Sequence, residues 1–351
     1  MSNEPKICVL IPAFNEEQVI EGTINALRAS GFNQSDIYIV DDMSTDATSR
    51  LARSKGVHVY TVTEKGGNKA RAQVLGFKHF NLHEKYTHVI FLDADTKVEP
   101  QFLNVMFEAA EKKPNTTLFV GQVKSAENSH IFSALRAYEY TYGQELVKRG
   151  QSNFNVIFVS PGCASMYKLA DLVKLKIEDD TLAEDMDLTI QVHRMKGKIR
   201  YVHRAAVVTQ DPSNFEDYNK QIMRWYRGFW QIALKHRVFS WGKKQPVDLY
   251  MIYSALSALF FNPVLGLIVG AMMFPVYALA IFFLGNLGIF MGIAVFVACR
   301  TRRLDVLYRA PAYYWITYLN FFAFTKSFFE VIVCRKDISV WNKVKRYEFN
   351  S

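Results

Sequence analysis

Residues 7–16 read ICVLIPAFNE, residues 37–46 read IYIVDDMSTD, and residues 88–95 read HVIFLDAD. Each is a short apolar run that stops at a proline or at carboxylates. Runs of this length, bounded by turn residues, read as buried strands: Ile7–Ile11, Ile37–Val40 and His88–Leu92. Helical spacing lies between them. Val19, Ile20, Ile24 and Leu27 line one face of a helix over Glu16–Ala29, which stops at Gly31. Further helices are expected over Ser44–Lys55, Lys69–Phe80 and Gln101–Lys112, and further strands over Val57–Thr61 and Thr117–Val123. Such alternation predicts an α/β fold, a doubly wound and mostly parallel sheet covered on both faces. In these sheets ligands bind beyond the carboxyl ends of the strands. Three features fall there: the Pro12–Glu16 loop, Asp41-Asp42, and the pair Asp93 and Asp95 around Ala94.

From Asn128 to Asp211 the pattern is less regular. An aromatic-rich helix over Ile131–Lys148 precedes a turn at Pro161, Gly162 and Cys163. A helix start follows near Asp171, then an acidic cluster from Glu178 to Asp185. Residues 215–239 interleave Met223, Trp225, Phe229, Trp230, Ile232 and Phe239 with basic residues, as a helix lying in a membrane interface does. From Leu249 to Cys299 no Asp, Glu, Lys or Arg occurs in 51 residues. A span takes roughly 20 apolar residues, so this run predicts two, with breaks near Asn262-Pro263 and Gly285-Asn286. Ala310–Val333 is apolar but holds Lys326 and Glu330, and reads as a re-entrant segment or a third span. The expected division is 1–214 as a cytoplasmic catalytic domain, 215–248 as interfacial helices, 249–334 as membrane region and 335–351 as a cytoplasmic tail.

The chain carries 42 Lys and Arg against 33 Asp and Glu, a net charge of +9. Its placement argues against a nucleic-acid partner. Lys220, Arg224, Arg227, Lys235, Arg237, Lys243 and Lys244 precede the apolar run, and Arg300, Arg302, Arg303 and Arg309 follow it. Basic residues flanking spans mark the cytoplasmic side and attract anionic lipid headgroups. The first residues lack the apolar core of a signal peptide, so a multi-pass protein of the cell membrane with its catalytic domain in the cytoplasm is expected. Cys8, Cys163, Cys299 and Cys334 have neither metal-ligand spacing nor a disulfide framework.

Clustered carboxylates after a buried strand suit a hard divalent cation that also binds phosphate oxygens. Asp93 and Asp95 are that pair. At the second strand end Ser44 or Thr45 is expected to cap the following helix, leaving one of Asp41 and Asp42 for a base or a ribose. No Gly-x-Gly follows the first strand, which excludes the usual dinucleotide fingerprint, and no P-loop is present.

Taken together, IPAFNEE from residue 11, VDDMSTD from residue 40, Asp93-Ala94-Asp95, Ala183-Glu184-Asp185 and Gln221–Trp225 resemble the inverting family 2 glycosyltransferases. The likeness is to the branch of cellulose, chitin, hyaluronan and poly-N-acetylglucosamine synthases, and it covers nearly the whole chain. It implies a GT-A-like nucleotide-sugar domain. It implies that Pro12, Ala13, Glu16, Asp41, Asp42, Asp93 and Lys69 bind the nucleotide, that Asp93 and Asp95 hold Mg2+ or Mn2+, and that Asp185 is the general base. Glu184, Gly162, Cys163, Gln221, Arg224 and Trp225 are implied on the diphosphate or acceptor side. So are Trp341 and Arg346, which resemble a Trp-x-x-x-x-Arg tail. Three positions depart from the pattern: Ala183 replaces a usual Thr, Asn68 replaces a Gly before Lys69, and Val74 stands where Asn is common. The implied partners are a UDP-sugar donor, a saccharide or lipid acceptor and membrane lipids. The implied reaction extends a β-linked polysaccharide; the alternative is one sugar added to a ceramide- or polyprenyl-type lipid. Two or three spans are few for a secretion channel, so a polymer-exporting chain would form a homo-oligomer or use an export partner.

Overall fold

The structure is a computed structural model, and it describes residues 4–63, 68–126, 131–212, 214–260, 272, 277–302 and 304–336. The described residues divide into two compact units: those within 4–124 and 148–210, and those within 125–147 and 211–336. The division is not linear in sequence. Ser125–Val147, assigned by order to the catalytic part, belongs with the second unit.

The first unit is built on an eight-stranded sheet of order β3-β2-β1-β4-β7-β6-β8-β5. Its strands are β1 Ile7–Ala13, β2 Ile37–Asp41, β3 His58–Thr61, β4 His88–Phe91, β5 Lys97–Val98, β6 Leu118–Ser125, β7 Ser165–Lys168 and β8 Ile199–Thr209. The half β3-β2-β1-β4 is parallel. Cys8, Val9, Leu10 and Ile11 are wholly buried, as a central parallel strand covered on both faces requires, so β1 reads as a continuous apolar run. Beyond β4 the pairing turns antiparallel, β4 to β7 and β7 to β6. Strands β7 and β8 lie where the sequence pattern is irregular, and the two-residue β5 is too short to show a pattern.

Helices Ile20–Ala29, Thr48–Ser54, Lys69–His79, Phe102–Lys112 and Glu184–Arg194 belong to this unit. Lys69–His79 lies tightly against the sheet at Gly76. A Cβ there would lie 2.2 Å from Val40 Cγ2 and 3.2 Å from Leu10 Cδ1, so only glycine permits that approach. The core beneath joins Leu10, Val40, Phe91, Val120, Tyr167 and Leu188. The helix expected from Ser44 starts later, at Thr48, and has no side-chain cap. Ser44 and Thr45 are used elsewhere, as the site shows.

The second unit is helical: Ile131–Tyr142, Phe215–Lys235, Pro246–Phe260, Tyr277–Thr301 and Asp305–Phe328, the last continuing as a π turn over Phe329–Val333. Phe215–Lys235 packs on Asp305–Phe328 through Trp230 against Phe324 and Phe328. Tyr218 Oη donates to Asn320 Oδ1 at 2.9 Å. Glu330 is paired, its Oε2 accepting from Arg227 Nε and Nη2 at 2.8 Å each. Tyr277–Thr301 runs without interruption through Gly285-Asn286, where a break was expected. An unbroken helix satisfies its own backbone, so these two residues need not end it. Asn262-Pro263 lies outside the described residues. Among the described residues two helices, Phe283–Arg300 and Val306–Val333, are long and apolar enough to cross a membrane.

Candidate active site

The loops after β1 and β2 are laced together. Asn15 and Met43 take left-handed backbone, with φ of 53° and 64°. Asn15 N donates to Ser44 Oγ at 2.9 Å, and Thr45 N donates to Asn15 Oδ1 at 2.8 Å. Glu16 N donates to Thr48 Oγ1 at 2.7 Å, and the Glu16 side chain is buried. Because β1 and β2 are parallel neighbours, their C-terminal loops must meet, and these bonds fix how. Asp41 closes its own turn by accepting from Ser44 N at 3.1 Å. Asp42 Oδ2 accepts from Asn68 N at 2.9 Å. Asn68 in turn caps helix Lys69–His79, its Oδ1 accepting from Ala70 N and Arg71 N. The asparagine that replaces glycine before Lys69 is thus an N-cap. Pro12 and Ala13 end β1, Pro12 opposite Val40 and Ala13 opposite Asp41.

Strand register brings the next group in. β4 and β7 run antiparallel with Phe91 opposite Ser165. The end of β4, leading to Asp93, therefore lies beside the start of β7 and the turn holding Gly162 and Cys163. Helix Glu184–Arg194 is tied to the same turn: Gly162 N donates to Asp185 Oδ2 at 3.1 Å, and Ser160 N to Thr189 Oγ1 at 3.0 Å.

Lys69 joins these pieces. Its Nζ lies 2.5 Å from Asp93 Oδ1 and 3.3 Å from Glu184 Oε1. A Cβ on Gly162 would lie 2.6 Å from that Nζ and 3.7 Å from Asp185 Cβ. Burial works against the charge on Lys69, but Asp93, Glu184 and Asp185 outweigh it and hold the ammonium above the usual lysine range. Lys69 and Asp93 keep about a third of their side chains exposed, 31% and 33%, so the cluster is open to a ligand from one side. The Cys163 thiol is pushed up by burial; Asp93, Asp95 and Asp185 push it further while Lys69 opposes.

Lys148 belongs to the same unit and was not singled out from sequence. Its Nζ donates to Val159 O at 3.4 Å. Burial pulls its pKa down to about 8, with Cys163 and Asp185 opposing. It ends a π turn, Gly143–Lys148, a form frequent at functional sites. Nothing in residue type or spacing distinguishes it from other lysines.

Asp95 is buried and accepts from Thr96 Oγ1 at 3.4 Å. Asp93 and Asp95 offer hard carboxylate oxygens. That donor set fits a divalent cation completed by phosphate oxygens and water. Glu178, Asp180 and Asp187 also bring oxygens within 4.8 Å of one another. Asp187 lies two residues past Asp185, about 200° around the helix, so this group and Asp185 belong to different faces.

In the second unit, Gln221, Arg224 and Trp225 sit on helix Phe215–Lys235. Gln221 and Trp225 both contact Arg136 of helix Ile131–Tyr142. Arg224 is half-buried and makes no hydrogen bond or ion pair to any described residue. Trp341 and Arg346 lie outside the described residues.

An open α/β sheet whose strand-end loops gather acids and a lysine offers carboxylates to a cation and a positive charge to an anionic ligand. The family model described as glycosyltransferase like family 2 matches residues 5–228, and the chain belongs to that family. It is an enzyme of glycosyl transfer. A poly-beta-1,6-N-acetyl-D-glucosamine synthase of Staphylococcus epidermidis is 25% identical over 250 residues, 70% of this chain and 60% of the relative. A probable glucomannan 4-beta-mannosyltransferase of Arabidopsis thaliana is 27% identical over 275 residues, 72% of this chain and 51% of the relative. The chain thus matches between about half and three fifths of these relatives' length. Among solved structures, a mannosyltransferase of Pyrobaculum calidifontis, in complex with GDP-Man and Mn2+, superposes with a TM-score of 0.59 at 17% identity. It covers 89% of this chain and 87% of its own, a likeness of fold.

Proposed function

We propose that the chain is a metal-dependent inverting glycosyltransferase that uses a UDP-sugar at the cytoplasmic membrane face and extends a β-linked polysaccharide. The observation that carries this reading is the cluster of Asp93, Lys69, Glu184, Gly162 and Asp185. It sets a carboxylate held by a backbone N–H beside a cation and the strand-end acids.

Asp185 takes the proton from the acceptor hydroxyl. The acceptor oxygen attacks the anomeric carbon from the face opposite the diphosphate, the bond from that carbon to the diphosphate oxygen breaks, and UDP leaves. A base on the acceptor side is what inversion needs. Gly162 N–H fixes one oxygen of Asp185, and Met186 N donates to the other at 2.8 Å, so the carboxylate is held in one orientation. Asp93 and Asp95 would hold Mg2+ or Mn2+, which supplies positive charge to the leaving diphosphate. Lys69 keeps Asp93 in place and lends its own charge to the same anion. Asp42, Glu16 and the Pro12–Ala13 strand end serve the nucleoside. Gln221, Arg224 and Trp225 serve the diphosphate and acceptor.

The membrane part of the reading rests on Phe283–Arg300 and Val306–Val333 with their basic flanks. The test is direct. Full-length protein in lipid with Mn2+ is given labelled UDP-glucose, UDP-N-acetylglucosamine or GDP-mannose, and label is followed into polymer and solvent-extractable lipid. Polymer from a UDP-sugar is the expected result. Label in lipid alone removes the polymerase reading, and transfer from GDP-mannose alone removes the UDP assignment.

A further inference from the structure

We infer that Arg136 is the positioning residue of the Gln221–Arg224–Trp225 signature, holding the Gln221 amide as a hydrogen-bond donor and covering one face of Trp225. The inference rests on the proposed role of that signature in transfer.

Arg136 is wholly buried. Its Nη2 donates to Gln221 Oε1 at 2.8 Å. Its Nη1 lies 2.5 Å from Glu139 Oε2, one turn along the same helix. Its guanidinium carbon lies 4.6 Å from the Tyr218 ring centroid and 4.5 Å from that of Trp225. Tyr218, Gln221, Ile222 and Trp225 share one helix face at i, i+3, i+4 and i+7. Rings seven residues apart are separated by about 10 Å along the axis, close to the two centroid distances laid end to end. The guanidinium carbon therefore lies between the two rings. Among the described residues its Nε has no hydrogen-bond partner, so the ring contacts as well as hydrogen bonding hold it.

The consequence for Gln221 follows from donor chemistry. Arginine has no acceptor, so Oε1 must face Arg136 and Nε2 must face away. Among the described residues Nε2 has no partner. The Arg224 guanidinium, three residues on, has none either. Two donors are thus left for a ligand rich in acceptor oxygens, as a diphosphate is. Trp225 is correspondingly one-sided: the face under Arg136 is taken, and a sugar ring would stack only on the other. A residue 85 positions upstream of Gln221 thereby decides what the signature presents.

The test uses full-length protein with Arg136→Lys, Arg136→Met, Gln221→Glu and the pair Arg136→Lys with Gln221→Glu. Lysine keeps the charge but loses the planar fork. Glutamate keeps the bond to Arg136 but removes the outward donor. Transfer from the labelled donor, UDP affinity by calorimetry and thermal unfolding are read together. Each single variant should lower kcat/KM by about 30-fold and weaken UDP binding by about tenfold, in line with loss of a charge-assisted hydrogen bond. The pair should be no worse than the poorer single variant, and Gln221→Glu should melt as wild type does. If Arg136→Met fails to fold, Arg136→Lys carries the comparison. Near-wild-type transfer by Arg136→Lys, or a pair whose losses multiply, overturns the inference. If the wild-type protein transfers no sugar, the proposed function falls separately. UDP affinity then decides: unchanged binding in the single variants overturns the inference, and equal, non-multiplying losses support it.

Discussion

The strand-end cluster of the first unit and the Arg136 clamp of the second hold charged groups by opposite means. Around Lys69 the backbone does the placing. Asp42, Asp93 and Gly162 stand where strands end, and neighbouring strands force their loops together. Around Arg136 side chains do the placing, with Tyr218, Gln221 and Trp225 of one helix face and Glu139 of its own helix closing on a single guanidinium. The first arrangement stays partly open, with Asp93 33% exposed, whereas Arg136 is 0% exposed. An open cluster can exchange its partners for a ligand; a sealed one keeps its geometry fixed.

The most severe way to break this comparison is at the base. Asp185→Asn retains an acceptor for Gly162 N–H but cannot take a proton. Transfer should fall by about 10²–10⁴-fold, the range of general-base contributions, with the fold retained by far-UV circular dichroism. Initial rates of sugar transfer measure it, and a loss under tenfold moves the base elsewhere.

Gly162→Ala sharpens the open side. The new methyl would meet Lys69 Nζ at 2.6 Å. A free lysine would swing away, but this one is held by two carboxylates. Transfer should drop about 10- to 100-fold, as small misplacements in a site do. Far-UV circular dichroism should not change, and wild-type rates would show that the ties to Lys69 are dispensable.

Lys148→Met has the smallest effect and tests burial itself. Burial lowers the folded-state pKa of Lys148 from 10.5 to about 8. Below pH 8 the folded chain carries the buried charge at full cost. Between 8 and 10.5 the unfolded chain binds more protons, so this contribution to stability rises with pH. The methionine variant should therefore be more stable than wild type at pH 7, by about 1 kcal/mol after discounting for partial exposure. The difference should shrink toward pH 10.5. Melting curves across that window decide it, and a gain that does not vary with pH would mean that burial does not lower the pKa of Lys148.

Much of the first unit was legible because strand ends announce themselves. An apolar run that stops at Asp41-Asp42 or at Asp93 needs no partner to be read. Strands β7 and β8 were not legible. Strand β7 is four residues long with only Met166 and Tyr167 apolar, and β8 mixes buried Ala205–Val207 with the exposed His203 and Arg204. Ser44 misled for a simpler reason: a hydroxyl before a helical pattern suits a cap, but Asn15 N–H competed for it. Lys148 and Arg136 carried no signal, since a lone basic residue on a helix ordinarily faces solvent.

The sequence by itself determined the alternation of strand and helix, the carboxylates at three strand ends, the family, and the long uncharged run from Leu249. These are local patterns or short motifs, and local physical chemistry suffices to read them. The tertiary structure decided that Lys69 binds Asp93 and Glu184, that Gly162 rather than a residue with a side chain sits over it, and that Arg136 faces Gln221 and Trp225. Those pairings join residues far apart in the chain. They depend on strand register and on how one helix face meets another, which no stretch of sequence specifies alone.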